Sequence, residues 1–209
     1  MAEPSQRLLA YGTQWIDGNN DGVLELFVAN GDIDDFTHQG RSYRQPFQVY
    51  RREVSGRWQL IDSNTMGDYF KSSHLARAVA GVDFDRDRQT DVVVTHLFEP
   101  VALLRNQTSQ TGNSVRLVLK GTASHRDAIG SVVTFRSAAV DRSQQLFAGD
   151  GYHCSSERVI TIGTGSDTKL SDVVVTWPDG VQESFGELPV GLDYLLVQGS
   201  GEVFQLDAQ

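Results

Sequence analysis

The chain has 209 residues, a formal net charge of −9, 39% hydrophobic residues and a single cysteine. Its length allows a sizeable core in one large or two smaller domains, and its acidic balance argues against a nucleic-acid partner, which selects a basic face. With Cys154 alone, an intrachain disulfide and a Cys-based metal cluster are excluded, and no apolar run reaches the roughly 18 residues of a membrane-inserting helix.

Helical periodicity is nearly absent. Apolar residues come in short runs rich in Val, Leu, Phe and Ile, bounded by Gly, Asp, Asn and Ser, the pattern of an all-β chain. The first predicted strand, 12–17, runs into the acidic loop Asp17-Gly-Asn-Asn-Asp-Gly-Val-Leu-Glu25 and leaves it as a second strand, 24–29. Strands at 47–52 and 58–62 follow. A strand at 78–83 then enters a second acidic loop, Asp83-Phe-Asp-Arg-Asp-Arg-Gln-Thr-Asp91, which leaves as 91–96 and is followed by 101–106. Superposing the loops puts Asp17 on Asp83 and Glu25 on Asp91. A strand, an acidic loop, a strand and two outer strands make up one four-stranded propeller blade. After Asn106 the repeat stops, and the polar stretch 107–114 divides a repeat region, 1–107, from a second β domain, 108–209. That domain carries predicted strands at 115–121, 131–137, 143–149, 158–163, 172–177, 182–188, 194–198 and 203–206.

Each loop offers oxygen ligands at positions 1, 3, 5 and 9, with a backbone carbonyl expected from position 7. The first set is Asp17, Asn19, Asp21, Val23 and Glu25; the second is Asp83, Asp85, Asp87, Gln89 and Asp91. Ca2+ takes six to eight hard oxygens, and carboxylates crowded this closely repel without a cation among them. Gly22 supplies the permissive backbone at position 6 of the first loop, whereas Arg88 stands there in the second and brings strain if a positive φ is required. One Ca2+ is expected at the first loop. At the second, a further Ca2+ competes with a metal-free arrangement in which Arg86 and Arg88 fold over the carboxylates. An EF-hand is excluded by Val28 and Val94 at position 12, where a bidentate Glu is needed, and by the β-forming residues after each loop.

The first loop, followed by Leu-Phe-Val-Ala-Asn-Gly, resembles the FG-GAP or VCBS repeat, the calcium-loop blade of integrin-α-like propellers. In the second half, "Asn-Ser-Val-Arg-Leu-Val-Leu-Lys-Gly", "Gly-Asp-Gly-Tyr" and "Val-Val-Val-Thr-Trp-Pro-Asp-Gly" resemble the ASPIC/UnbV domain, which follows such repeats in bacterial surface proteins and in the cartilage acidic proteins of animals. The resemblance runs from about Tyr11 to Phe185. It implies calcium ligands at the oxygen side chains named above, an extracellular, periplasmic or cell-surface setting, and a β-sandwich-like C-terminal domain. Two blades do not close a ring, so the chain reads as the C-terminal end of a longer protein. No catalytic residue carries over.

Other motifs weigh less. His125-Arg126-Asp127 lacks the companion motifs of a kinase and reads as a turn in which Asp127 and Arg126 bond backbone amides; Ser166-Asp-Thr-Lys169 lacks those of a β-lactamase. Gly163-Thr-Gly165 reads as a hairpin connection, and Trp177-Pro-Asp-Gly180 as a tight turn with a core or rim Trp. His153 and Cys154 have no third partner for a metal or nucleophile site. Asn106-Gln-Thr108 is a formal glycosylation sequon, and His74 and His96 are packing residues.

The function these readings favour is a non-enzymatic, calcium-stabilised module that binds a protein or carbohydrate ligand at a cell surface. Two alternatives stand beside it: an accessory part of a polysaccharide-active enzyme with structural calcium, and a purely architectural propeller cap.

Overall fold

The computed structural model describes residues 2–206. The protein is all-β, with 47% of it in strands, and its longest described α-helix has 4 residues. No helix of the described residues is long and apolar enough to cross a membrane.

Strands β1 (Ala10–Ile16), β2 (Glu25–Asn30), β4 (Gln48–Arg52) and β5 (Trp58–Leu60) form a four-stranded antiparallel meander in that order. This matches the strand content expected of the first repeat. Period-two alternation in β1 buries Gly12, Gln14 and Ile16 on one face and leaves Thr13 and Trp15 exposed. The second repeat forms β7 (Ala76–Val82), β8 (Asp91–His96) and β9 (Ala102–Leu104), with no fourth strand on this sheet among the described residues. Short strands β3 (Gln45–Pro46) and β6 (Ser73–His74) pair with each other, and neither was foreseen.

The internal repeat extends to its irregularities. Ile16 pairs with Glu25 as Val82 pairs with Asp91, so each acidic loop closes a hairpin at the same register. The register slips between Ala10 and Thr13 in β1 and between Ala76 and Val79 at the matching place in β7. Such bulges sharpen strand twist. Here the two inner strands approach closely: a Cβ on Gly12 would lie 2.4 Å from the Arg77 carbonyl oxygen. The described sheets form no closed ring.

Two further sheets build the second half. One has the order β13 (Ile160–Gly165), β10 (Asn113–Lys120), β16 (Leu192–Val197), β17 (Val203–Leu206); the other has β12 (Val140–Gln145), β11 (Val132–Ser137), β14 (Lys169–Thr176), β15 (Gln182–Pro189). The β10–β16 pairing is parallel. Val115, Leu117 and Leu119 from the first sheet and Val133, Phe135, Leu170 and Val175 from the second share one core, the arrangement of a β-sandwich. A separate core of Ile16, Ala29, Phe47, Val49, Val79 and Val94 serves the repeats.

Two local expectations change. Gly163-Thr-Gly165 is the end of β13 rather than a hairpin connection, because β13 pairs with β10 and the chain then crosses to the other sheet. Asp127 pairs with Arg158 instead of with turn amides. Trp177 is a core residue, buried at the start of the tight turn to β15, where its backbone N–H donates to the Val181 carbonyl.

Candidate metal site

The two acidic loops share one internal wiring. At position 6 the N–H donates to the position 1 carboxylate: Gly22 to Asp17 Oδ2 at 2.7 Å, Arg88 to Asp83 Oδ2 at 3.1 Å. At position 2 it donates to the position 9 carboxylate: Gly18 to Glu25 at 3.0 Å, Phe84 to Asp91 at 2.9 Å. At position 7, Val23 and Gln89 donate to Asp21 and Asp87 at 2.7 and 2.8 Å. Position 4 is left-handed in both, at φ 56° for Asn20 and 63° for Arg86, and position 6 likewise, at 84° for Gly22 and 67° for Arg88. The second loop therefore takes the glycine conformation with an arginine, at a strain cost of about 1–2 kcal/mol.

The reason for that arginine lies across the chain. Arg88 Nε bonds Asp193 Oδ1 at 2.9 Å, and Arg86 reaches Glu157 at 3.3 Å. Neither folds over the loop carboxylates, which corrects the metal-free arrangement expected of them. The cations that do approach are Arg116, 3.2 Å from Asp83 Oδ2, and Arg105, 2.5 Å from Asp85 Oδ2 but without hydrogen-bond alignment.

In the second loop Asp83, Asp85 and Asp91 each bring one oxygen within 4.8 Å of the others. Asp83 Oδ1, both Asp85 oxygens and Gln89 Oε1 are buried without a hydrogen-bond partner among the described residues. Buried polar oxygens are rarely left so, and a set of hard oxygens like this fits Ca2+ chemistry. Asp87 lies outside the three-carboxylate group, as does the first loop's set, where Asn19 replaces the third-position Asp. Asn19 instead bonds Asp21 through its amide nitrogen at 3.0 Å. The loop with the unfavourable Arg88 is the one that gathers its carboxylates most tightly.

Electrostatics follow burial. Burial pushes the Asp17 carboxyl up to about 6, with Asp21 adding repulsion against backbone N–H bonds that lower it. Glu25 is pushed up to about 7 by burial, then by Asp17 and Asp21. Burial also raises Asp83, opposed by Arg116, and Asp91, reinforced by Asp85 and Asp87. Each site is strained by its own negative charge.

The loops touch each other and the second half of the chain. Asn20 Nδ2 donates to the Arg88 carbonyl at 3.2 Å. Asn106 bridges both: its side-chain nitrogen donates to the carbonyls of Gly18 at 2.8 Å and Thr90 at 3.3 Å, and its N–H to Asp91 Oδ1 at 2.7 Å. Its sequon reading did not reveal this role, and a residue between two distant loops leaves no local pattern. Gly112 and Gly165 donate to the carbonyls of Asn19 and Asn20, both at 2.8 Å, and Arg142 reaches Gly22 at 2.7 Å. A Cβ on Gly163 would sit 1.9 Å from Asp17 Oδ2 and 2.7 Å from the Asn20 backbone. Gly163→Ala is accordingly expected to cost about 1–3 kcal/mol, read as a lowered melting temperature; an unchanged melt would mean the first loop is not seated on β13.

This is an all-β chain whose two hairpin loops are wired alike and docked on a β-sandwich. Residues 121–203 match the family model described as ASPIC and UnbV, so the C-terminal part carries an ASPIC and UnbV domain. The matched segment begins just after β10, which nevertheless supplies a central strand of that sandwich. No curated protein matches the chain.

Proposed function

We propose that the chain is a non-enzymatic, calcium-binding pair of FG-GAP/VCBS-like repeats joined to its ASPIC and UnbV domain, acting as a binding module in an extracellular, periplasmic or cell-surface setting. The carrying observation is the shared wiring of the two loops together with the buried oxygens Asp83 Oδ1, Asp85 Oδ1 and Gln89 Oε1, which accept no hydrogen bond among the described residues. Asp83, Asp85, Gln89 and Asp91 would hold one ion, and Asp17, Asn19, Asp21 and Glu25 a second, with Val23 contributing through its backbone. Bound calcium would supply positive charge at the first loop and add to that of Arg105 and Arg116 at the second.

Three carboxylates outside the loops are each engaged with a different partner. Asp127 pairs with Arg158, Asp172 lies 3.4 Å from Arg136, and Asp150 accepts the Ser156 N–H at 2.9 Å.

Calcium titration by calorimetry, with melting in calcium and in excess chelator, tests the reading. An ion at a hundredfold excess over its Kd contributes about 2.7 kcal/mol, which for a chain of this size shifts the melt by about 5–10 °C per site. Absence of calcium uptake with an unchanged melt would end the metal assignment.

A further inference from the structure

Asn106 follows closely on the end of β9 and reaches both acidic loops beside their candidate ligands. In the first loop its Nδ2 donates at 2.8 Å to the carbonyl of Gly18, which stands in the chain between Asp17 and Asn19. In the second it donates to the Thr90 carbonyl at 3.3 Å, and its backbone N–H holds Asp91 Oδ1 at 2.7 Å. One residue thus touches the frame of both sites.

The partners of the amide fix its orientation. Carbonyl oxygens only accept, so the end that faces Gly18 and Thr90 is the NH2 group. The oxygen end turns to Thr108, whose backbone N–H and hydroxyl donate to it at 3.1 and 2.7 Å. Thr108 therefore aims the amide donor at the loops. A second link runs in the opposite direction: Asn20, 3% exposed, extends from the first loop, and its Nδ2 donates at 3.2 Å to the carbonyl of Arg88, which lies between Asp87 and Gln89.

These contacts join the internal wiring of each loop. The Gly18 N–H donates to Glu25 Oε2 at 3.0 Å, and Asp91 Oδ2 accepts the Phe84 N–H at 2.9 Å. With Asp17, Asn19 and Glu25 held on a cation, the Gly18 peptide is fixed among them. That fixes the Asn106 side chain, and its N–H then holds the Asp91 carboxylate in place. The ordering cost met at one loop is not met again at the other, which couples the two sites positively. Repulsion between two ions acts against this, but salt screens it with a length of about 8 Å at physiological ionic strength, and the hydrogen-bonded bridge is not screened.

We propose that Asn106 couples the two calcium loops, so that filling either one raises the affinity of the other. The inference rests on the calcium reading above and adds a regulation to it.

The test uses the full chain and calcium alone, titrated by calorimetry at about 0.15 M salt. Asp85→Ala disables the second loop and Asp21→Ala the first, each in the parent and in an Asn106→Ala background. In the parent, disabling either loop is expected to weaken calcium at the other about tenfold, by the same factor in both directions. In the Asn106→Ala background the change should fall below about twofold. A merely structural Asn106 would weaken both sites and leave that ratio untouched. Hydrogen exchange gives a second readout: in Asp85→Ala, calcium at the first loop slows exchange of the Phe84 amide in the second, and Asn106→Ala removes the effect. Thr108→Val keeps Asn106 and takes away one of the two donors that aim it, so it should lower the coupling in part, and it serves if Asn106→Ala does not fold. Two ions bound independently, weaker binding at one loop when the other is filled, or full coupling in both Asn106→Ala and Thr108→Val would each overturn the proposal and leave the calcium reading standing. No uptake at one or both loops would overturn the two together.

Discussion

Replacing Arg116 by methionine is expected to lower the unfolding free energy by about 3–5 kcal/mol, the range for breaking a buried ion pair from one side. Arg116 lies on β10, is 2% exposed, and joins three acids from different parts of the chain, of which Glu157 also meets Arg86 and Asp193 also meets Arg88. Its Nη1 is 3.2 Å from Asp83 and 3.0 Å from Asp193, and its Nη2 is 2.9 Å from both Glu157 oxygens. Methionine fills most of the space but takes the cation from Asp83 and leaves Glu157 and Asp193 with only the more exposed Arg86 and Arg88. Denaturant titration measures the loss. It should be smaller in calcium than in chelator, because a cation in the second loop would compensate Asp83 in part. Arg116→Lys should restore only some of the stability, since a single ammonium cannot reproduce the forked contacts to Glu157 and Asp193. A loss below about 1 kcal/mol in both conditions would place the cluster with exposed ion pairs, which contribute little, and remove its role in docking the two halves.

Arg116 shows what could and could not be read in the chain beforehand. The strands were legible because each carries its own signal: alternation in β1, and β-branched runs in β8 and β14, needing only local reading. The loops were legible as hairpin closures for the same reason, since positions 1 to 9 form a single short acidic segment between two strands. Tertiary partners were not. Arg116 sits in an otherwise apolar run and meets Asp83, Glu157 and Asp193 only after two sheets fold over the repeats. Arg88 was read as a defect at a glycine position, although its side chain ties the second loop to Asp193. β12 was placed too late because Leu146 and Phe147 extend the apolar pattern, whereas the strand begins at Val140 and ends at Gln145. β3 and β6, at two residues each, are too short for any periodicity.

The calcium dependence of stability is expected to rise with pH between about 5 and 8, through Asp17 and Glu25. Their folded-state values, about 6 and about 7, lie above the ordinary 3.8 and 4.5. A carboxyl raised on folding holds its proton more tightly in the native state. Its stabilising contribution is complete below the unfolded value and is lost as pH rises through the folded value. The metal-free protein therefore loses stability from this source between about pH 4 and pH 7. Calcium must displace the same protons, so its affinity falls as pH drops through this window. The difference in melting temperature between calcium and chelator should be largest at pH 8 and shrink toward pH 5, with proton release on binding near pH 6.5, measured by calorimetry in buffers of different ionisation enthalpy. His96 acts in the opposite direction, since burial holds it below its ordinary value and favours the fold as pH rises. The lowered acids Asp32 and Glu99 lose their contribution only below about pH 4, outside the window. Glu25→Gln isolates the first loop's share, because it removes the more strongly raised group while leaving His96 in place. If that variant and the parent gave the same pH profile with and without calcium, and no protons were released on binding, the first loop would not be a metal site.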